Sequence, residues 1–183
     1  MIIELTARLL ARPERAWAGL VADGREEGDL PSPAAHAATL AGLSVIATFV
    51  GASLEPGRSV GGVVVDGLTA IVGYVGAVAL AVVLLPRALA RAAPVDPAAA
   101  ARFGSASILP LASSGVLNVL PLWGPTLALT LLGTVLTARS AWIGAHSLLG
   151  WSGGARWRAS ALVVGAGLLP LIASTAARAF LIR

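Results

Sequence analysis

The chain contains no cysteine and no lysine. Without thiols it has no disulfide, no thiolate metal ligand and no cysteine nucleophile. Without lysine it has no Walker A loop, no Schiff base and no Ser-Lys pair. Charge is scarce as well: 12% of the 183 residues are ionised, against about 25% in soluble domains. No basic run interleaves with the few aromatics, so no nucleic-acid surface is expected. The two histidines, His36 and His146, stand in neither an H-E-x-x-H nor an H-x-x-E-H pattern. A metal site needs three or four ligands, so neither a metal nor a cofactor is expected. A G-x-S-x-G elbow is also missing, and the chain reads as non-enzymatic.

Apolar residues are abundant. They make up 57% of the chain and raise its mean hydropathy to +0.85, the composition of an integral membrane protein. A helix needs roughly 20 apolar residues to cross a hydrocarbon core about 30 Å thick. Five stretches come close to that length, at about 33–54, 60–85, 98–120, 125–148 and 159–182. The expected fold is therefore all-α, a bundle of five transmembrane helices over 32–183. Helix punctuation separates the runs: Ser32 and Asp96 are candidate N-caps before Pro33 and Pro97, and Pro56-Gly57 is a stop.

Residues 1–31 form a separate cytoplasmic piece. Two short helical patterns divided by Pro13 place Trp17, Leu20 and Val21 on one face, as in an amphipathic segment lying on the membrane surface. The acidic, turn-rich stretch that follows reads as a solvated linker. The charged N-terminus offers no uninterrupted apolar core before a cleavage site, so the first long run is expected to act as the signal anchor.

Short cytoplasmic loops retain positive charge, which orients the bundle. With the N-terminus inside, Arg58, Arg178 and Arg183 fall outside and the other ten of the 13 arginines fall inside. The expectation is a multi-pass protein of the inner membrane, N-terminus cytoplasmic and C-terminus outside.

Asp66 interrupts the second run. The 19 residues from Gly67 to Leu85 make about 28 Å of helix and already span the bilayer. Asp66 then reads first as a helix-end carboxylate at the outer interface. A second reading is a structural ion pair with Arg178 of the fifth helix, and a third is a titrating transport site. On the fourth helix Arg139, Trp142 and His146 share a face and read as contacts to lipid headgroups, together with Trp17. Gly73, Ala77 and Ala81 recur every fourth residue, a small-residue edge for helix packing.

Pro13 and Trp17 before the bundle, Phe103, Ala106 and Pro110 in the third run, the Leu120, Pro121, Leu122, Trp123 and Gly124 hairpin, and Gly144 before "HSLLG" together resemble the Yip-domain family, named for interaction with Ypt and Rab GTPases. The resemblance implies a five-helix membrane protein that binds partners or organises the bilayer. The alanine- and arginine-rich composition looks bacterial, where Rab partners are not expected. Sequence thus favours a bacterial, non-enzymatic scaffold whose partners are the lipid bilayer and a membrane protein or a second copy of itself. The runners-up are a small transporter or channel with Asp66, Asn118 and Arg178 near its outer mouth, and an accessory subunit of a larger membrane complex.

Overall fold

The computed structural model describes residues 2–23, 32–120 and 123–181. Among these residues every regular element is helical. Helices α1 (Ile2–Ala11) and α2 (Pro13–Asp23) form an N-terminal hairpin. They are followed by α3 (Pro33–Leu54), α4 (Val60–Ala92), α5 (Pro97–Ser107), α6 (Leu109–Ser114), a 3₁₀ turn (Gly115–Val119), α7 (Trp123–Ser147) and α8 (Gly153–Leu181). Among the described residues four helices are long and apolar enough to cross a membrane: α3, α4, residues Leu127–Ser147 of α7, and α8. Such an all-helical arrangement is compatible with a multi-pass membrane protein, and its exposed surface is rich in Leu, Ile, Val and Phe.

The third apolar run departs from the expected continuous span. It breaks at Ile108 and ends in the 3₁₀ turn. Pro110 has no N–H to donate and its ring crowds the carbonyl one turn back, so the helix cannot continue unperturbed. The Leu111 N–H, which an unbroken helix would direct at the Ser107 carbonyl, instead donates to Thr137 Oγ1 of α7 at 3.1 Å. The Ala112 carbonyl accepts from Ser44 Oγ of α3 at 2.7 Å. Non-helical backbone at membrane depth is stable only where protein groups satisfy it, and all ten residues from Phe103 to Ala112 are buried. This broken segment forms the axis against which the long helices pack.

Close packing on that axis depends on missing side chains. A Cβ on Gly104 would strike the Ala81 carbonyl of α4, and one on Gly51 of α3 would strike the Asn118 carbonyl of the 3₁₀ turn. Backbones therefore approach within distances that only glycine permits.

Helix α4 outruns its expected end at Leu85, continuing through Pro86 to Ala92. Two π-helical turns, Ile71–Val75 and Leu80–Leu84, interrupt its regular winding. The second lies one turn ahead of Pro86, where the widened ladder accommodates the missing donor. The last helix starts at Gly153, six residues ahead of the expected 159, and takes in Arg156, Trp157 and Arg158. Gly150 and Gly153 supply the positive φ that turns the chain back into it.

The N-terminal hairpin is not a free surface helix. Trp17 is fully buried, its ring 6.0 Å from that of Phe103 and wedged into the space left by Gly144 of α7. Thr6, Leu9 and Ala16 are buried beside it. The headgroup role expected for Trp17 is thereby overturned, because an indole with no accessible surface cannot touch a lipid. Periodicity had put Trp17 on an apolar face, but only the groove opened by Gly144 decides that this face meets protein.

Candidate functional site

Ser59 caps α4 by accepting from Gly62 N–H, which starts the helix two turns ahead of Asp66. Asp66 is 5% exposed, and two guanidinium groups hold it. Arg58, in the turn before α4, donates from Nη2 to Oδ2 at 2.5 Å, and Arg178 on α8 brings Nε to 2.6 Å from Oδ1. Glu55 approaches Arg58 Nε at 3.8 Å. Two carboxylates and two guanidinium groups thus balance in one cluster that ties the α3–α4 turn to the end of α8. Asp66 does lie in the first turns of α4, as the first reading had it, but its carboxylate is enclosed by the two guanidinium groups. Sequence reasoning named Arg178 and missed Arg58, which lies in the turn that folds back over α4.

Beside this cluster a cavity of about 300 Å³ opens between α3, α4, α7 and α8. That lies at the small end of ligand pockets. Most of its wall is apolar, from residues such as Ala52, Ala70, Leu120, Leu127 and Leu171, and Thr48, Asp66, Tyr74, Asn118, Thr130 and Ser174 bring polar groups to it. Asn118 organises one wall. Its Nδ2 donates to Thr48 Oγ1 and to Tyr74 Oη, each at 3.0 Å, and Thr130 bonds the same phenol. Asn118 sits in the 3₁₀ turn that ends the broken segment, and Tyr74 in the first π-helical turn of α4. Both departures from regular winding therefore occur at the cavity wall, where π-bulges are frequently found to serve a site.

Several lining hydroxyls spend their protons on their own helices. Thr48 donates to the Ser44 carbonyl at 2.8 Å, Thr69 to the Asp66 carbonyl at 2.9 Å, and Ser174 to the Leu171 carbonyl at 2.9 Å. Each then keeps an acceptor lone pair for an occupant.

The small-residue edge of α4 faces inward. Gly73 lies against Leu171 and Ser174 of α8, and Ala77 and Ala81 are buried in the core. It is used in helix packing within the chain. At the opposite, arginine-rich end, Arg139, Trp142 and His146 are all exposed. Arg156 stacks 4.2 Å over the Trp142 ring and donates to its carbonyl, and Trp157 meets the same ring edge-on. The Trp123 side chain, most of the acidic linker, and Pro121 and Leu122 lie outside the described residues. Among the described residues no three His, Asp or Glu converge as metal ligands.

No protein-family model, curated protein or solved structure matches the chain. The resemblance to the Yip-domain family therefore rests on the residues that suggested it, Pro13, Trp17, Phe103, Ala106, Pro110, the 120–124 hairpin and Gly144, and on no family match.

Proposed function

We propose that the chain is a multi-pass protein of the bacterial inner membrane that binds a small, uncharged polar solute in the Asp66 cavity and carries it across the bilayer. The observation behind this reading is a cavity of about 300 Å³, mainly apolar but with an amide and several hydroxyls in its wall, enclosed by four long helices and by the unwound end of a broken central segment. Discontinuous helices that expose backbone only to a cavity are the usual way in which carriers build a solute site. The solute is taken as uncharged because the carboxylates at the mouth are matched by Arg58 and Arg178. The amide and hydroxyls then supply hydrogen bonds without a net field. Its arginine-rich end is assigned to the cytoplasm by the positive-inside rule, and the cavity to the outer half.

Because the chain lacks cysteine, single-cysteine variants report accessibility without background. Thr130→Cys and Thr175→Cys, in right-side-out vesicles, should react with a membrane-impermeant thiol reagent. One member of a panel of polyols and small amides should protect them. In proteoliposomes the same solute should drive osmotic swelling that Asn118→Leu abolishes. Cysteines that no solute protects, combined with a stoichiometric protein partner that leaves the membrane with the chain, would overturn the carrier reading in favour of partner binding.

A further inference from the structure

At the arginine-rich end a second cleft, of about 430 Å³, lies between the α1–α2 turn and α7. Ala11, Arg12, Pro13, Glu14 and Arg15 form one wall and Arg139 the other. Pro13 occupies the first position of α2 and breaks the hairpin so that Arg12 and Arg15 flank it. The burial of Trp17 against Phe103 and Gly144 then clamps α2 onto α7 and fixes both arginines beside Arg139. Among the described residues none of the three guanidinium groups makes an ion pair, although Glu14 borders the cleft. The fold thus gathers three positive charges against one carboxylate.

The surface leading to this cleft is apolar. Leu127, Leu131 and Val135 lie one turn apart on α7, each about 60% exposed, and Arg139 is the next residue in the same row. Along this row the exposed aliphatic side chains end where the guanidinium groups begin. Trp142, three residues further on, is exposed, and indole rings favour the boundary between hydrocarbon and headgroups. A row of acyl-compatible side chains that ends in an arginine cluster matches one kind of molecule along its length.

We propose that Arg12, Arg15 and Arg139 bind the phosphate of an anionic membrane phospholipid, whose acyl chain lies along Leu127, Leu131 and Val135. Guanidinium groups form paired, charge-assisted hydrogen bonds to phosphate oxygens, which a lysine-free chain can make only through arginine. The bound lipid bridges the N-terminal hairpin and α7 and so locks the Trp17 wedge in place. The site rests on the chain being embedded in a bilayer and is independent of what the Asp66 cavity binds.

The test is native mass spectrometry and thermal unfolding of the full chain in nanodiscs of phosphatidylcholine alone, or of phosphatidylcholine mixed with phosphatidylglycerol. Phosphatidylglycerol should be retained on the protein and should raise the melting temperature. Arg15→Gln and Arg139→Gln should each weaken that retention about fivefold, since a basic residue at an anionic membrane surface contributes on the order of 1 kcal/mol. Melting in phosphatidylcholine alone should not change, which separates lost lipid from lost folding. Retention by both variants equal to the wild-type chain would overturn the site. Equal stabilisation by inorganic phosphate in phosphatidylcholine discs would overturn the lipid as its source. Loss of solute binding at the Asp66 cavity alone would leave the result unchanged, so the two readings fail separately.

Discussion

Replacing Asp66 by asparagine keeps the volume of the side chain and removes its charge, leaving Arg58 and Arg178 facing a neutral amide. At the effective dielectric of about 20 that suits partly buried sites, opposite charges about 4 Å apart attract by about 4 kcal/mol. Desolvation offsets much of that, and cutting one partner from a buried pair costs about 3–5 kcal/mol in full enclosure. The enclosure here is partial, with the side chains of Arg58 and Arg178 20% and 27% exposed. Arg58 also keeps Glu55 at 3.8 Å. Both guanidinium groups can therefore draw on water, and the expected loss falls to about 2–3 kcal/mol. Reversible unfolding in mixed micelles would measure it, within a double-mutant cycle of Asp66→Asn and Arg178→Gln. A coupling of about 1–2 kcal/mol is expected from a direct pair. A triple variant combining Asp66→Leu, Arg58→Leu and Arg178→Met should recover most of the lost stability, because it removes the stranded charges together with the carboxylate. If Asp66→Asn and Arg178→Gln proved additive, or Asp66→Asn as stable as the native chain, the clamp between the α3–α4 turn and α8 would carry no energy and the reasoning would fall.

Two further perturbations probe the axis and the hairpin. Trp17→Ala should cost about 3–5 kcal/mol, since the lost indole leaves a cavity beside Phe103. It should also release α1 and α2 to limited proteolysis, and an unchanged digestion pattern would show that the wedge does not hold the hairpin. Thr137→Val strands the buried Leu111 N–H and should destabilise by about 1–3 kcal/mol, whereas Thr137→Ser, which keeps the acceptor, should lose less than half of that. Equal losses for the two would locate the effect in methyl packing instead of the hydrogen bond.

The long helices were legible because hydrophobic length is a local property. Runs such as Pro33–Leu54 carry their own evidence, and Ser32 and Asp96 mark helix starts by chemistry confined to three or four residues: Ser32 accepts from Ala35 N–H and Asp96 from Ala98 and Ala99 N–H. The broken third segment was less legible. Pro110 signalled a disturbance, but whether a proline kinks a helix or ends it depends on who receives the freed backbone groups, and those receivers, Thr137 and Ser44, are 26 and 68 residues away. The cavity was the least legible part. Asn118 was noted as polar near the outer mouth, but nothing local ties it to Thr48 and Tyr74, 70 and 44 residues distant.

Sequence by itself determined the solvent. With 57% apolar residues and 12% charge, the chain has the composition of a membrane protein, and its lack of cysteine and lysine removes thiol and Schiff-base chemistry. Tertiary structure alone decided which faces meet protein and which meet the surroundings. Spacing marked Gly73, Ala77 and Ala81 as a packing edge and gave Trp17 an apolar face, but only the placement of α8 and the groove at Gly144 decided that each meets this same chain. Tertiary structure also decided the electrostatics. An isolated Asp66 in a hydrophobic run has several physically acceptable fates, and only the folding of Arg58 back over α4 and the crossing of Arg178 from α8 selected the doubly paired carboxylate.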